Sequence, residues 1–147
     1  MSGRLAGRRV LVTGAARGIG AATALRLRQE GARVAALDLD GDELARFVAQ
    51  AGAPALVPLV ADITAPDAVE RAVAEAARAL GGLDGLVNAV GVDLVASIET
   101  MTPAQWAHVL AVNLTGPMLV MRAAFPHLAA HAPSTIVNLS SAAGLSP

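Results

Sequence analysis

Residues 10–20 read VLVTGAARGIG, a short apolar run that ends in three closely spaced glycines. An alanine-rich helical pattern follows immediately. The order of strand, glycine turn and helix is how α/β proteins build a cradle for a phosphate-bearing cofactor. Glycine suits such a turn because it adopts backbone conformations closed to residues with a Cβ, and because it lets backbone N–H groups approach a pyrophosphate. A tight turn without a ligand is the alternative.

The composition predicts a globular protein without nucleic-acid partners. The chain has 147 residues, about the length of one domain, and we expect residues 1–147 to form a single nucleotide-binding domain. Hydrophobic residues make up 54% and charged residues 16%, a balance that argues against disorder. The net charge is −1 and no basic stripe is present, so we expect no nucleic-acid binding. Without cysteine, disulfides and thiolate metal sites are excluded.

The histidines and the N-terminus carry no strong signal. His127 and His131 are four residues apart, a spacing that suits a helical metal pair, but no third ligand is evident near them or near His108. We therefore expect no metal. No apolar leader precedes Arg8, and no uninterrupted run approaches about 20 apolar residues. We expect a soluble, cytoplasmic protein with no membrane partner.

Strand and helix patterns alternate along the chain. Strands are predicted at residues 9–13, 33–37, 55–61, 83–89 and 135–140. Helices are predicted at residues 19–30 and 42–50, from an N-cap at Thr64 to Leu80, and from an N-cap at Thr102 to about Ala130. Such alternation predicts an α/β fold, a Rossmann-like doubly wound parallel sheet of strand order 3-2-1-4-5.

Asp38 ends the second predicted strand, roughly 20 residues after the glycines, where this fold presents an acid to the adenosine ribose. A carboxylate there accepts hydrogen bonds from the ribose hydroxyls and repels a 2′-phosphate, which favours NAD over NADP. Arg17 acts in the opposite direction, since a guanidinium beside the turn binds phosphate. A solvated loop acid is the alternative interpretation of Asp38.

Two further polar sites attract attention. Trp106, Val109, Leu110 and Asn113 share one helical face, which places an amide on an apolar stripe. A buried amide without partners costs about 1–3 kcal/mol, so Asn113 is either functional or a core asparagine satisfied by the backbone. Ser140 and Ser141 lie at the end of the fifth predicted strand, a position where serine most often serves capping or loop chemistry. We expect the alternation of the strand to point the two side chains in opposite directions.

Five motifs together resemble the classical short-chain dehydrogenase/reductase family, and the resemblance extends along the whole chain. They are TGAARGIG at 13–20, DI at 62–63, LVNAVG at 86–91, VNLTG at 112–116 and VNLSS at 137–141. The resemblance implies an oxidoreductase that transfers a hydride between NAD(H) and an alcohol or ketone.

The resemblance also implies roles for individual residues. Asp62 would bind the adenine beside Ile63, with helix capping as its alternative, and Asn88 would support the sheet and line the cofactor. The segment at 88–91 reads NAVG here and departs from the commoner NNAG. Asn113 would help to hold a water of a proton relay, and Ser141 would bind the substrate oxygen. The predicted cofactor contacts are thus Gly14, Arg17, Gly18, Ile19, Gly20, Asp38, Asp62, Ile63, Asn88 and Gly91, and the predicted catalytic residues are Ser141 and Asn113.

The resemblance implies an acid/base tyrosine about a dozen residues after the serine and a lysine four residues further on, which lowers the tyrosine pKa. These 147 residues contain no tyrosine and end at Pro147. We therefore expect the family's C-terminal strands and helices to be missing and the isolated chain to be inactive. The alternatives are a non-catalytic dinucleotide-binding fragment and an interaction protein. In the latter, a second copy or a complementing chain would cover the long helix and the fifth strand.

Overall fold

The structure, a computed structural model, describes residues 3–52 and 56–141. Its strands are β1 (Arg9–Thr13), β2 (Arg33–Asp38), β3 (Leu56–Val60), β4 (Gly85–Asn88) and β5 (Thr135–Asn138). Its helices are α1 (Gly18–Gln29), α2 (Gly41–Ala51), α3 (Pro66–Leu80), α4 (Pro103–Leu110) and α5 (Gly116–Ala129), with a π-helical turn over Ala111–Thr115 between the last two.

The strands form one parallel sheet in the order β3-β2-β1-β4-β5, which confirms the predicted Rossmann-like topology. Thr13 pairs with Leu37 on one side and with Asn88 on the other, and Asn88 in turn pairs with Asn138. Because the strands are parallel and in this register, their carboxyl ends meet along one edge. In open α/β sheets that edge is where ligands bind.

Apolar side chains cover both faces of the sheet. Leu11 of β1 packs with the buried faces of α3 and α5 in one cluster. Its neighbours Val10 and Val12 pack with α1 and α2 in a second cluster. Successive side chains of a strand point to opposite faces, so β1 serves both halves of the core and reads as a continuous apolar run.

The two predicted helix caps have different outcomes. Thr102 is the N-cap of α4: its hydroxyl accepts from the Gln105 N–H, and the Gln105 side chain accepts from the Thr102 N–H. The predicted cap at Thr64 is wrong, since the N-cap of α3 is Ala65 and no side chain caps that helix. The Thr64 hydroxyl instead donates to the Asp62 carboxylate at 2.7 Å.

Several strands are shorter than predicted. Strand β4 covers Gly85–Asn88, within the predicted 83–89, and β5 ends at Asn138, two residues before the predicted end. The start predicted for the third strand, residue 55, lies outside the described residues. Regular pairing of β1, β4 and β5 ends together at the rung of Thr13, Asn88 and Asn138, beyond which the chain turns into the loops of the site.

The long predicted helix is present from Pro103 to Ala129. Its first part, α4, contributes no residue to the core, and Trp106 remains 55% exposed. Within the described residues, one helical run passes the length and composition test for crossing a membrane. It covers Pro103–Ala129 and has a mean hydropathy of 1.3. Core helices of soluble proteins satisfy the same criterion, and α5 buries Leu119, Val120, Ala124 and Leu128 against the rest of the fold.

Candidate nucleotide-binding site

A cleft of about 440 Å³ opens at the carboxyl edge of the sheet. Its walls are the turn between β1 and α1, the ends of β2 and β3, the loop after β4, and one face of α4 and the π turn. The described residues that line it include all the predicted cofactor contacts except Asn88. The cleft thus brings together residues that are far apart in the sequence, from Gly14 to Val112. Its volume is typical of sites that bind small ligands.

Close backbone approach requires two of the turn's glycines, Gly14 and Gly20. Gly14 has φ +69°, and a Cβ built on it would lie 2.9 Å from the carbonyl carbon and oxygen of Ala89 in the loop after β4. A Cβ on Gly20 would collide with the carbonyl oxygen of Gly14. The turn therefore packs closely against both its own helix and the neighbouring loop, and a side chain at either position would force these backbone segments apart.

The N-terminus of α1 is left open toward the cleft. Its N-cap is Arg17, which makes no side-chain capping bond, and the first turn carries no acidic residue. By contrast, Asp40 caps α2 and Thr102 caps α4. Gly18, Ile19 and Gly20 line the cleft at this uncapped end. Free N–H donors and the positive end of the helix dipole fit a pyrophosphate.

Asp38 braces the glycine turn from the end of β2. One carboxylate oxygen accepts from the Ala16 N–H at 2.9 Å, and the other accepts from the Asp40 N–H at 3.1 Å. The side chain is half-buried and lines the cleft, unlike the solvated loop acid of the alternative interpretation. Each oxygen retains a lone pair, so the carboxylate can also accept hydrogen bonds from a ribose.

Asp62 and Ile63 follow β3 on the next wall. Asp62 Oδ1 accepts from the N–H of Thr64 at 2.8 Å and from its hydroxyl, which closes a local turn before α3. The hydrogen bonds found within the described residues leave Asp62 Oδ2 without a partner. Beside it, Ile63 is 5% exposed and presents an apolar surface to the cleft. The assignment of both to the adenine stays a prediction.

Asn88 lies inside the sheet. Its Oδ1 accepts from the Thr13 hydroxyl at 3.3 Å, and its Nδ2 donates to Asn138 Oδ1 at 2.8 Å. The side chain is buried and does not line the cleft, whereas Gly91 does. The amide thus ties three neighbouring strands together directly beneath the site.

Asn113 is exposed, so the prediction that its amide is buried is wrong. The helical face that it shares with Trp106 is turned to the solvent, because α4 packs no residue into the core. Both ends of the amide nevertheless bind backbone: Nδ2 donates to Val92 O at 2.9 Å, and Oδ1 accepts from Val92 N at 2.8 Å. Asn113 therefore fastens the loop after β4 to the π turn, a helix irregularity that is common at functional sites.

Ser141 lies on the chain segment that leaves β5. It is exposed and is not among the residues that line the cleft. Because β5 ends at Asn138, the alternation of a strand does not orient Ser140 and Ser141 in opposite directions, as the longer predicted strand implied. The catalytic role of Ser141 stays a prediction.

Sequence reasoning missed the contribution of α4 to the cleft. His108 and Val112 both line it. The two residues are four positions apart, which is about one helical turn and places them on one face of the helix. That spacing is the signal in the sequence that could have identified them as neighbours. In the part of the chain that is described, no three His, Asp or Glu side chains come together as a metal site requires.

The sheet order and the open N-terminus of α1 above a cleft define a Rossmann-like α/β protein. Residues 8–147 match the short chain dehydrogenase family, and the chain belongs to that family of oxidoreductases.

Known members resemble almost the whole chain. It is 36% identical to 2-(S)-hydroxypropyl-CoM dehydrogenase 3 of Xanthobacter autotrophicus, with 99% of this chain and 58% of the relative covered. It is 37% identical to 2,5-dichloro-2,5-cyclohexadiene-1,4-diol dehydrogenase LinX of Sphingobium indicum, with 100% and 60% covered.

Solved structures agree. A short chain dehydrogenase from Mycobacterium smegmatis superposes with a TM-score of 0.92 at 34% identity, over 100% of this chain and 63% of that chain. One from Burkholderia cenocepacia, solved in complex with NADP, gives 0.87 at 38% identity, over 94% and 57%. The chain therefore spans less than two thirds of the length of these relatives.

Proposed function

We propose that this chain forms the cofactor-binding part of an NAD-dependent oxidoreductase that acts on a small alcohol or ketone. The observation that carries the proposal is the convergence of the glycine turn, Asp38 and Asp62 on one cleft. When bound there, the nicotinamide supplies or accepts the hydride. The residues of this chain hold and orient the dinucleotide.

The cleft suggests an order of contacts along the dinucleotide. The N–H groups at Gly18–Gly20 would hold the pyrophosphate, Asp38 the adenosine ribose, and Asp62 with Ile63 the adenine. We propose NAD rather than NADP because the Asp38 carboxylate would face the 2′-phosphate at short range, where like charges repel. Arg17 is exposed at the cleft and is the group that opposes this preference.

Proton transfer to or from the substrate requires an acid/base beyond Ser141 and Asn113. These 147 residues contain neither tyrosine nor lysine, the pair expected from the resemblance to perform it. We propose that the chain alone binds the cofactor without turnover. In the complete enzyme, Ser141 would bind the substrate oxygen and Asn113 would help to hold a water molecule of the proton relay.

Calorimetric titration of NAD into the 147-residue chain tests this function. We expect saturable binding of one NAD per chain, weakened at least about tenfold by Gly14→Ala, because a Cβ there meets Ala89. Gly7→Ala is the matched control: Gly7 has a similar φ of +78° but open space around it and lies away from the cleft. No change of NADH absorbance with alcohols or ketones is expected. Absence of binding, or equal binding by Gly14→Ala, rejects the proposal.

A second function, interaction with another chain, is favoured by the exposed apolar surface. Leu114 is 65% and Phe125 66% exposed along the helical run, and every residue of β5 is exposed. We propose that a second copy or a complementing chain covers these surfaces in the cytoplasm.

A further inference from the structure

Gly116, the first residue of α5, packs directly against Ile63. A Cβ built on Gly116 would lie 2.6 Å from Ile63 Cδ1 and 2.8 Å from Cγ1, far inside the optimal separation of carbon atoms. Its third neighbour would be the Ala111 carbonyl oxygen at 3.3 Å, which accepts the Gly116 N–H across the π turn. The helix backbone and Ile63 thus meet with no room for a methyl group.

Helix propensity does not explain a glycine at this position. Gly116 lies inside the helical run that begins at Pro103. In the interior of a helix, glycine destabilises the fold by about 0.5–1 kcal/mol relative to alanine. The close contact with Ile63 is the feature that requires it.

Ile63 separates Gly116 from the cleft. It is almost completely buried, it belongs to the core cluster shared by α3 and α5, and it also lines the cleft. Protein cores are close-packed, so the free volume beside Ile63 is the cleft itself. A β-branched side chain has few χ1 rotamers. A group that presses on its Cγ1 and Cδ1 would therefore move the side chain into the cleft.

We propose that Gly116 is a positioning residue that sets the depth of the adenosine end of the cleft by leaving Ile63 room to rest against α5. The inference rests on the proposed function, because it places the adenine ring beside Ile63. Gly116 contacts Ile63 and does not line the cleft, so its effect on binding would pass through that one side chain.

The test is calorimetric titration of ADP-ribose, which carries the adenosine and pyrophosphate but no nicotinamide. Gly116→Ala is expected to weaken binding about tenfold, in line with the cost of overpacking. Ile63→Ala removes both atoms that the new methyl group would meet. In the Ile63→Ala background, Gly116→Ala should therefore change the affinity by less than about twofold.

Gly85→Ala is the matched control. Gly85 is buried at the start of β4, and its Cβ would lie 3.0 Å from Val10 Cγ2, at the amino edge of the sheet and away from the cleft. We expect this substitution to lower the melting temperature and to leave the affinity for ADP-ribose within about twofold.

The possible results distinguish a failure of the proposed cofactor binding from a failure of the inference about Gly116. If the unsubstituted chain does not bind ADP-ribose, the proposed function fails and the inference fails with it. If that chain binds but Gly116→Ala binds equally well, or loses the same affinity in both Ile63 backgrounds, the inference alone is overturned. Failure of Gly116→Ala to fold both with Ile63 and with Ile63→Ala overturns it too, since the clash would then lie elsewhere.

Discussion

At the scale of single residues, Asp38 has two roles: it supports the backbone of the glycine turn and it places a negative charge at the cleft. Its carboxylate holds the Ala16 and Asp40 N–H groups and so supports the glycine turn, while its charge faces the cleft. A substitution that keeps the shape and removes the charge can separate the two effects.

Asp38→Asn is nearly isosteric and keeps one acceptor oxygen for the turn. Without the negative charge, the repulsion of a 2′-phosphate falls, and we expect the ratio of NAD to NADP affinity to drop about tenfold. Titration of both nucleotides measures it. Asp42→Asn, which removes a charge from the first turn of α2 outside the cleft, serves as the control. An unchanged ratio in Asp38→Asn would reject the role of Asp38 in cofactor choice.

At the scale of elements, the π turn between α4 and α5 organises one side of the cleft. It carries Asn113, whose amide holds Val92, and it places Val112 on the cleft wall. The loop after β4 has no regular structure over residues 89–97, so these two hydrogen bonds are a major restraint at its start.

Asn113→Ala removes both hydrogen bonds to Val92. Two bonds of ordinary strength suggest a loss of about 1–3 kcal/mol in the free energy of unfolding. We also expect faster hydrogen exchange over residues 91–101, measured by mass spectrometry. Asn113→Asp keeps the acceptor for the Val92 N–H but sets a carboxylate oxygen against the Val92 carbonyl oxygen, so it should raise exchange at least as much. Unchanged exchange in Asn113→Ala would show that the loop is held by other contacts.

The elements themselves were predictable because their signals are local. The apolar runs, the cap at Thr102 and the glycines after α2 and α3 give the strands, helices and their order. The cap at Thr64 was wrong because α3 begins one residue later than the sequence signal indicates, which places Ala65 and not Thr64 at the N-cap. The burial of Asn113 was wrong because helical spacing shows which residues share a face but not whether that face meets the core.

The cleft was less predictable than the elements. Its glycines and acids could be identified from spacing, but His108 joins it only through the packing of α4 across the sheet edge. The motif at 88–91 predicts that Asn88 contacts the cofactor, yet its amide forms hydrogen bonds with Thr13 and Asn138 instead. Only the three-dimensional pairing of strands shows that use.

At the scale of the whole molecule, the two sides of the fold differ in how well they are covered. The β1–β2–β3 side is packed between helices, whereas α4 and β5 contribute exposed apolar surface, including Trp106 and Val137. Large exposed apolar patches mark sites of association.

We expect the isolated chain to associate with rising concentration, as measured by light scattering. Replacement of Trp106 and Phe125 together by glutamate should reduce the association, because two charges would interrupt the apolar surface. Val95→Glu, at a 95% exposed loop residue, is the matched control and should leave it unchanged. Monodisperse monomers that melt cooperatively would contradict this expectation.

The central claim is that the turn over Gly14–Gly20 holds the pyrophosphate of NAD. The most direct measurement is the change of backbone amide shifts in ¹⁵N-labelled chain on addition of NAD. We predict the largest changes at Gly18, Ile19 and Gly20, at the uncapped end of α1. Saturation without changes at these amides, or with the largest changes outside the cleft, would contradict the account.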